Sequence, residues 1–150
     1  MYIKNAIITF FMLLTTTGFS QIQIDDVGDG WKLKVDSALT LIKKTSPEHY
    51  KEVSEYCKQV TYWMGGFSTT QDSSTIVISV RDMKINSINN IACILVHESH
   101  HLMIQNKHIM MEPKKEELEC YQYEYGFLQK IPNPEDWLTI HVIKNIINNK

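Results

Sequence analysis

The stretch INNIACILVHESHHLMIQ, residues 88–105, predicts the central helix of the fold. Its apolar side chains recur every three or four residues, which is the spacing that places them on one face of an α-helix. These residues are Ile88, Ile91, Ala92, Leu95, Leu102 and Met103. Either Asn86 or Ser87 is suited to cap this helix, because both side chains accept hydrogen bonds from the backbone N–H groups of a first turn. We therefore expect one amphipathic helix that runs to about Gln105.

The middle of that helix carries the pattern His-Glu-x-x-His at residues 97–101. His97 and His101 are four residues apart, so on a helix their imidazoles stand one turn apart on one face and can converge on one metal ion. Glu98 lies on the adjoining side, within reach of a water molecule on that metal. Zinc lowers the pKa of its bound water, and Glu98 is then suited to take the proton as general base. Ser99 and His100 are expected to have no catalytic role, with His100 exposed.

This pattern, on a helix that follows a strand, resembles the zincin metallopeptidases. In that superfamily an extended substrate pairs with the edge of the strand before the active-site helix, and residues 75–80 stand in that place. The metzincin branch has a glycine and a third histidine after the motif. This chain has Ile104 instead of that glycine, and His108 falls one position too late. The resemblance is therefore to small gluzincin-like enzymes, whose third zinc ligand is a glutamate from a downstream helix.

The resemblance implies Glu117 as that third ligand. In the family a small residue follows the ligand by three positions, and Cys120 takes that place if Glu117 is the ligand. Tyr121 then stands where the family has an aspartate that orients a ligating histidine, so this support is expected to be missing. The alternatives that remain open are Glu119, Glu116 and His108. Four side chains are candidates for stabilising a tetrahedral oxyanion, and their spacing does not select among them: Tyr121, Tyr123, Tyr125 and His141.

The rest of the chain predicts an α+β fold, mainly helical, with a small sheet before the central helix. Further helices are expected over residues 31–44, 46–60, 114–130 and, after the capping residues 133–136, to about residue 148. The β-branched run TIVISV at residues 75–80 is the clearest strand. Residues 61–64 and 67–68 are candidates for its partner strand, and residues 21–30 are expected to form a loose segment.

The first twenty residues have the pattern of a secretory signal peptide. Lys4 is their only charge, residues 6–14 are almost wholly apolar, and Gly18 and Ser20 provide small residues before a cleavage at Gln21. The apolar run is short for a transmembrane helix. We therefore expect a secreted or periplasmic protein with one domain at residues 21–150 and no stable membrane anchor after cleavage.

Charge and cysteine content narrow the function further. The net charge is −2 and no basic run exceeds two residues, which argues against a nucleic-acid partner. The three cysteines leave at least one thiol without an intramolecular partner. Cys93 lies in an apolar run and is expected to be buried, and Cys57–Cys120 is the disulfide pairing to test.

Together these features predict a small gluzincin-like zinc metallopeptidase that hydrolyses peptides or proteins. Zn²⁺ is bound by His97, His101 and Glu117, and Glu98 is the catalytic base. The substrate is expected to lie along residues 75–80, and a regulatory partner or latency remains open. Amidase activity on peptidoglycan-type bonds is a further possibility. The alternative is a non-catalytic, exported metal-binding or interaction domain that keeps a zincin scaffold.

Overall fold

The computed structural model describes residues 21–85 and 87–150. The signal peptide predicted for residues 1–20 lies outside the described residues. Within them the chain forms six helices and a four-stranded sheet, so the predicted α+β class is confirmed. In chain order the elements are β1 (Gln23–Ile24), α1 (Trp31–Thr45), α2 (Pro47–Tyr56), β2 (Gln59–Trp63), β3 (Thr69–Thr70), β4 (Thr75–Ser79), α3 (Val80–Lys84), α4 (Ile88–Asn106), α5 (Pro113–Leu128) and α6 (Asp136–Asn148).

The central helix α4 is the scaffold of the molecule. It packs against α1 and α2 on one side, α5 on another, and the sheet. Because neighbours surround it, its side chains are buried around most of its circumference, including Ile91, Leu95 and Leu102. The predicted N-cap at Ser87 is confirmed, since its Oγ accepts a hydrogen bond from the backbone N–H of Asn90 at 3.1 Å.

The sheet has the order β1-β2-β4-β3, with β2 parallel to both β1 and β4 and with β3 antiparallel to β4. Every residue of β4 is buried. A strand covered on both faces favours a continuous run of β-branched residues, which is what Thr75–Ser79 supplies. Its pairing with β2 runs from Gln59 opposite Thr75 to Trp63 opposite Ser79.

This topology corrects the expected position of the substrate. The sequence predicted an extended peptide along residues 75–80, but β4 already has β2 on one side and β3 on the other. Its backbone hydrogen-bonding groups are therefore largely used within the sheet. The outer strand on that side is β3, and the turn that precedes it faces the cleft described below.

Several boundaries also differ from the sequence-based expectation. The helix predicted over residues 46–60 ends at Tyr56, because the following β-branched and aromatic residues pair as β2 between two other strands. Residues 21–30 were expected to be loose, yet Gln23–Ile24 pairs with β2. The predicted strand at residues 67–68 is displaced to Thr69–Thr70, and the short helix α3 was not predicted.

The three cysteines are buried and free, so the predicted Cys57–Cys120 disulfide is wrong. Cys57 follows α2, where its Sγ donates a hydrogen bond to the carbonyl of Gln59 at 3.3 Å. Cys120 instead packs with Met103 and Ile104 in a separate apolar cluster. Burial raises the pKa of the Cys57 thiol to about 12.

The described part of the chain contains no helix with the length and hydrophobicity that a bilayer span requires.

Candidate active site and metal centre

His97 and His101 of the central helix converge as the sequence predicted. Their Nε2 atoms lie 3.3 Å apart, although both side chains leave the same helix one turn from each other. His97 is buried and His101 is nearly so, because α5 runs across this face of α4. Two imidazole nitrogens at this separation are close enough to bind one metal ion once both are deprotonated.

Glu117 is the glutamate that faces both histidines. From the second turn of α5, its carboxylate oxygens lie 3.6 Å from Nε2 of His97 and 3.4 Å from Nε2 of His101. Ligand atoms about 2.0–2.1 Å from a tetrahedral zinc ion are separated from one another by about 3.3–3.4 Å. The two nitrogens have this separation, and each lies at a comparable distance from a different oxygen of the Glu117 carboxylate.

A carboxylate also stands behind each histidine. Nδ1 of His97 hydrogen-bonds Oε2 of Glu124 at 3.0 Å, and Nδ1 of His101 hydrogen-bonds Oε1 of Glu116 at 2.7 Å. An Nδ1–H that donates to a carboxylate fixes the tautomer whose Nε2 is free to bind a metal, and it orients the ring. Glu116, an alternative third ligand in the sequence, thus has this supporting position instead.

Because Tyr121 replaces the family's aspartate, no carboxylate was expected to orient a ligating histidine. The structure corrects this expectation, since Glu124 orients His97. Glu124 lies two turns after Glu117 on the same face of α5, and it is almost fully buried. The signal in the sequence was the seven-residue spacing of these two glutamates. Tyr121 is adjacent, but its contact with His97 is between the two rings, whose centroids lie 4.4 Å apart.

His100 was expected to be exposed, but only 6% of its surface is accessible. Its Nδ1 lies 2.8 Å from a carboxylate oxygen of Glu52 and its Nε2 lies 3.4 Å from one of Glu119. Its ring stacks on Tyr123 at a centroid distance of 4.1 Å. Glu119, another alternative for the third ligand, is therefore directed to His100. The remaining alternative, His108, is exposed in the turn after α4 with a φ of 53°.

Cys120 is a rival to Glu117, because its Sγ and one nitrogen of each of His97 and His101 all lie within 4.8 Å of one another. A cysteine binds metal as the thiolate. Burial, and then the charges of Glu117 and Glu116, raise the pKa of this thiol. The hydrogen bonds from His101 and His97 hold the pKa of Glu117 well below its usual range, so its carboxylate is already ionised. Glu117 therefore presents an ionised carboxylate to the two histidines, whereas Cys120 presents a protonated thiol.

The electrostatics of this centre stabilise positive charge. Burial alone would lower the pKa of His97, but hydrogen bonds to Glu117 and Glu124 outweigh it and raise that pKa to about 10. Burial would also lower the pKa of His101, but hydrogen bonds to Glu117 and Glu116 outweigh it and raise that pKa. Carboxylates that stabilise a protonated imidazole also stabilise a divalent cation at the same point.

Glu98 is buried at the wall of a cleft. Desolvation raises the pKa of its carboxyl, while the two neighbouring histidines lower it in part. A carboxylate whose pKa is shifted toward neutrality has the property that a general base requires. The cleft has a volume of about 430 Å³ and is lined by residues of the turn before β3 and of α3, α4, α5 and α6.

Trp63 contacts the turn before β3 at two points. The ring of Trp63 lies over Gly65, and a Cβ at that glycine would come within 2.2 Å of it, so a larger residue there would displace the indole. The indole N–H of Trp63 donates to the carbonyl of Phe67 at 2.8 Å. Residues 66–68, which follow, line the cleft.

The cleft selects two of the four candidate oxyanion donors. Tyr121 and His141 line it together with Glu98. Tyr123 stacks on His100, and Tyr125 packs against the main core. Burial raises the pKa of Tyr121, so its hydroxyl stays protonated and able to donate.

A larger and more open groove of about 860 Å³ lies beside β1 and α1. Among the described residues that line it there is no histidine or cysteine, and its Lys32 and Asp36 pair with each other. The smaller cleft is therefore the cavity whose lining has histidine and glutamate side chains suited to catalysis.

The chain matches no known protein-family model, and no curated protein or solved structure is significantly similar to it.

Proposed function

We propose that this protein is a zinc-dependent hydrolase with a zincin-like site, and that it cleaves peptide bonds. Its metal ligands are His97, His101 and Glu117, and its general base is Glu98. The observation that carries the proposal is the convergence of two imidazole nitrogens 3.3 Å apart with the Glu117 carboxylate, which has one oxygen within 3.6 Å of His97 and the other within 3.4 Å of His101, next to a buried glutamate in an open cleft.

A zinc ion held by these residues would supply a Lewis acid that activates water and polarises the substrate carbonyl. Glu98 accepts the proton of the attacking water and passes it to the leaving amine. Glu124 and Glu116 keep the imidazoles in the ligating tautomer and orientation. Tyr121 or His141 donates a hydrogen bond to the oxygen on which negative charge develops.

The substrate in this proposal is an extended peptide. Among the described residues, strand β3 pairs with β4 alone, so its other edge carries backbone groups that can pair with an added strand. Residues 66–68, directly before β3, line the cleft that contains Glu98. A peptide paired with this edge would therefore run toward the catalytic glutamate.

We also propose that the protein is exported to the periplasm or the medium. The support is the charged start, the short apolar run and the small residues before Gln21 in the sequence. Sequencing the N-terminus of protein isolated from its host tests this, and a chain that still begins at Met1 contradicts it.

The catalytic proposal is tested by comparing the purified protein with Glu98→Gln. Both are expected to bind about one zinc per chain, while Glu98→Gln loses at least a hundredfold of the rate on an unfolded protein substrate. Glu119→Gln is the matched control, because it removes a carboxylate from α5 that faces His100 rather than the proposed metal. Equal cleavage by wild type and Glu98→Gln rejects the catalytic role, and absence of zinc from both rejects the site.

The second candidate function is a non-catalytic metal-binding domain, and the nearness of Cys120 favours it. A thiolate added to His97, His101 and Glu117 would make four protein ligands, which is typical of closed structural zinc sites. The absorption of the cobalt-substituted protein distinguishes the two functions. A thiolate-to-cobalt charge-transfer band that Cys120→Ala abolishes supports the closed site, whereas its absence supports an open catalytic one.

A further inference from the structure

Arg81 is the only arginine among the 15 basic residues of the chain, and it lies in the cleft. It belongs to α3, the short helix between β4 and α4, and it is exposed. It is also the one side chain with a permanent positive charge in the lining of the cavity that contains His97 and Glu98, as far as the described residues go.

Two of the three carboxylates in the lining of this cleft are engaged by other groups, and the third is Glu98, the proposed base. Asp82 accepts a hydrogen bond from the hydroxyl of Ser68 at 2.6 Å. Glu124 is bonded to Nδ1 of His97. Within residues 21–85 and 87–150 the guanidinium of Arg81 takes part in no ion pair or side-chain hydrogen bond. Arg81 is thus a cation whose binding capacity the described part of the protein leaves unused.

Apolar side chains accompany this charge. Phe67, Ile85 and Trp137 line the same cleft and are 64%, 47% and 42% exposed. Large apolar side chains left exposed together in a cleft are typical of a binding site. A guanidinium binds a carboxylate through two parallel N–H···O bonds, which gives orientation as well as affinity. The cleft therefore matches a ligand in which a carboxylate adjoins an apolar side chain.

We infer that Arg81 binds a carboxylate of the substrate and that the cleft prefers short peptides whose carboxylate adjoins an aromatic or large aliphatic residue. This inference rests on the proposed function, since it names the substrate class of the same site. The carboxylate is either the C-terminus of the peptide or an acidic side chain, and both present the same chemistry to the guanidinium.

Calorimetric binding of three probe peptides to the zinc-loaded Glu98→Gln protein tests the inference without turnover. The probes are acetyl-Ala-Phe with a free carboxylate, its C-terminal amide, and acetyl-Asp-Phe-amide. We expect the free acid, the aspartyl peptide or both to bind about tenfold more tightly than the neutral amide, as a charge-assisted pair provides. The peptide that shows the preference identifies the source of the carboxylate.

Variants of Arg81 separate its effect from direct binding of a carboxylate to the metal. Arg81→Gln is expected to abolish the preference, and Arg81→Lys to keep part of it, because lysine retains the charge but not the planar fork. Lys84→Gln is the matched control, since it removes an exposed charge from the same short helix and should keep the full preference. Two results overturn the inference. One is a preference for the carboxylate peptide that survives Arg81→Gln. The other is no such preference, or no binding, in the protein that keeps Arg81.

The outcomes also separate this inference from the proposed function. A protein that binds carboxylate peptides through Arg81 but cleaves nothing with Glu98 intact retains the inference and loses the peptidase. An active peptidase whose binding is indifferent to Arg81→Gln retains the proposed function and loses only the inference.

Discussion

At the scale of single residues, His97 and His101 each use both ring nitrogens. Nε2 of His97 points to the shared centre, while Nδ1 is bonded to the buried carboxylate of Glu124. That carboxylate orients the ring and raises the basicity of the ligating nitrogen. The strength of the centre therefore depends on a residue that does not touch the metal in the proposed arrangement.

Replacement of Glu124 is expected to weaken metal binding without unfolding the protein. Glu124→Gln keeps an oxygen acceptor for the Nδ1–H but removes the charge, and we expect a loss of about 10–100-fold in zinc affinity. Competition with a chromophoric chelator measures it. Glu119→Gln, on the same helix but directed to His100, should leave zinc affinity unchanged. An affinity unaltered by Glu124→Gln would show that the bond to His97 does not support ligation.

Tyr121 and His141 give a second prediction at this scale. If the Tyr121 hydroxyl donates to the developing oxyanion, Tyr121→Phe lowers kcat by about 10²–10³-fold with little change in KM. Phenylalanine keeps the ring that packs on His97, so the site should remain intact. Tyr123→Phe is the control because that ring stacks on His100. A normal kcat in Tyr121→Phe, together with a low one in His141→Gln, would assign the role to His141.

At the scale of elements, Ser87 joins the starts of two helices. Its Oγ accepts from the backbone N–H of Asn90 in the first turn of α4 and donates to Oε1 of Glu135 at 2.6 Å. Glu135 is the residue that precedes α6, and it also accepts from Asn89. One hydroxyl thus caps α4 and fixes the start of α6 against it.

Ser87→Ala is expected to lower the free energy of unfolding by about 1–2 kcal/mol, because a helix cap and a hydrogen bond to a carboxylate are both lost. Urea denaturation followed by circular dichroism measures the change. Ser73→Ala, at an exposed position outside the helices, should change stability by less than about 0.5 kcal/mol. Equal stabilities of the two variants would mean that the cap contributes nothing.

The ion pair between Glu48 and Lys130 joins the start of α2 to the segment after α5. The hydrogen bond from Lys130 is the main cause that lowers the pKa of Glu48 to about 2, below its ordinary value of 4.5. A group whose pKa falls on folding stabilises the folded state above its unfolded pKa. This contribution is therefore present above pH 4.5 and is lost as the pH falls from 4.5 to about 2.

Glu48→Gln should accordingly give a slightly lower Tm at pH 7, and the difference from wild type should vanish as the pH approaches 2. Both residues are exposed, so the effect is expected to be small and to shrink in high salt. Thermal scans across this pH range, with Glu55→Gln as the exposed control, measure it. A difference that persists unchanged at pH 2 would exclude the ion pair as its cause.

The elements also show what a sequence of this kind can predict. Helix α4 and its motif were predictable because the apolar spacing, the cap at Ser87 and the metal-ligand spacing are all local properties of one segment. The C-terminal end of α2 and the strand at Gln23–Ile24 were not, because pairing with distant strands decides them. Glu124 was missed for the same reason, since its partner is 27 residues away in the chain.

At the scale of the whole molecule, the core and the site share the same helix. Cys93 of α4 is fully buried, as are Cys57 after α2 and Cys120 of α5. The last two belong to different apolar clusters. A thiol with no accessible surface reacts with an alkylating reagent only when its surroundings open.

The alkylation rates of the three buried thiols therefore report how often the structure around each of them opens. Each cysteine lies in a different part of the fold, so its alkylation rate measures the opening of that part, without any introduced label. We expect Cys93 to be modified last, because α4 is enclosed by α1, α2, α5 and the sheet. Mass spectrometry of the labelled peptides would give the order, and faster labelling of Cys93 than of Cys57 would contradict it. The same chemistry would read out a ligand at the site as a slower alkylation of Cys120.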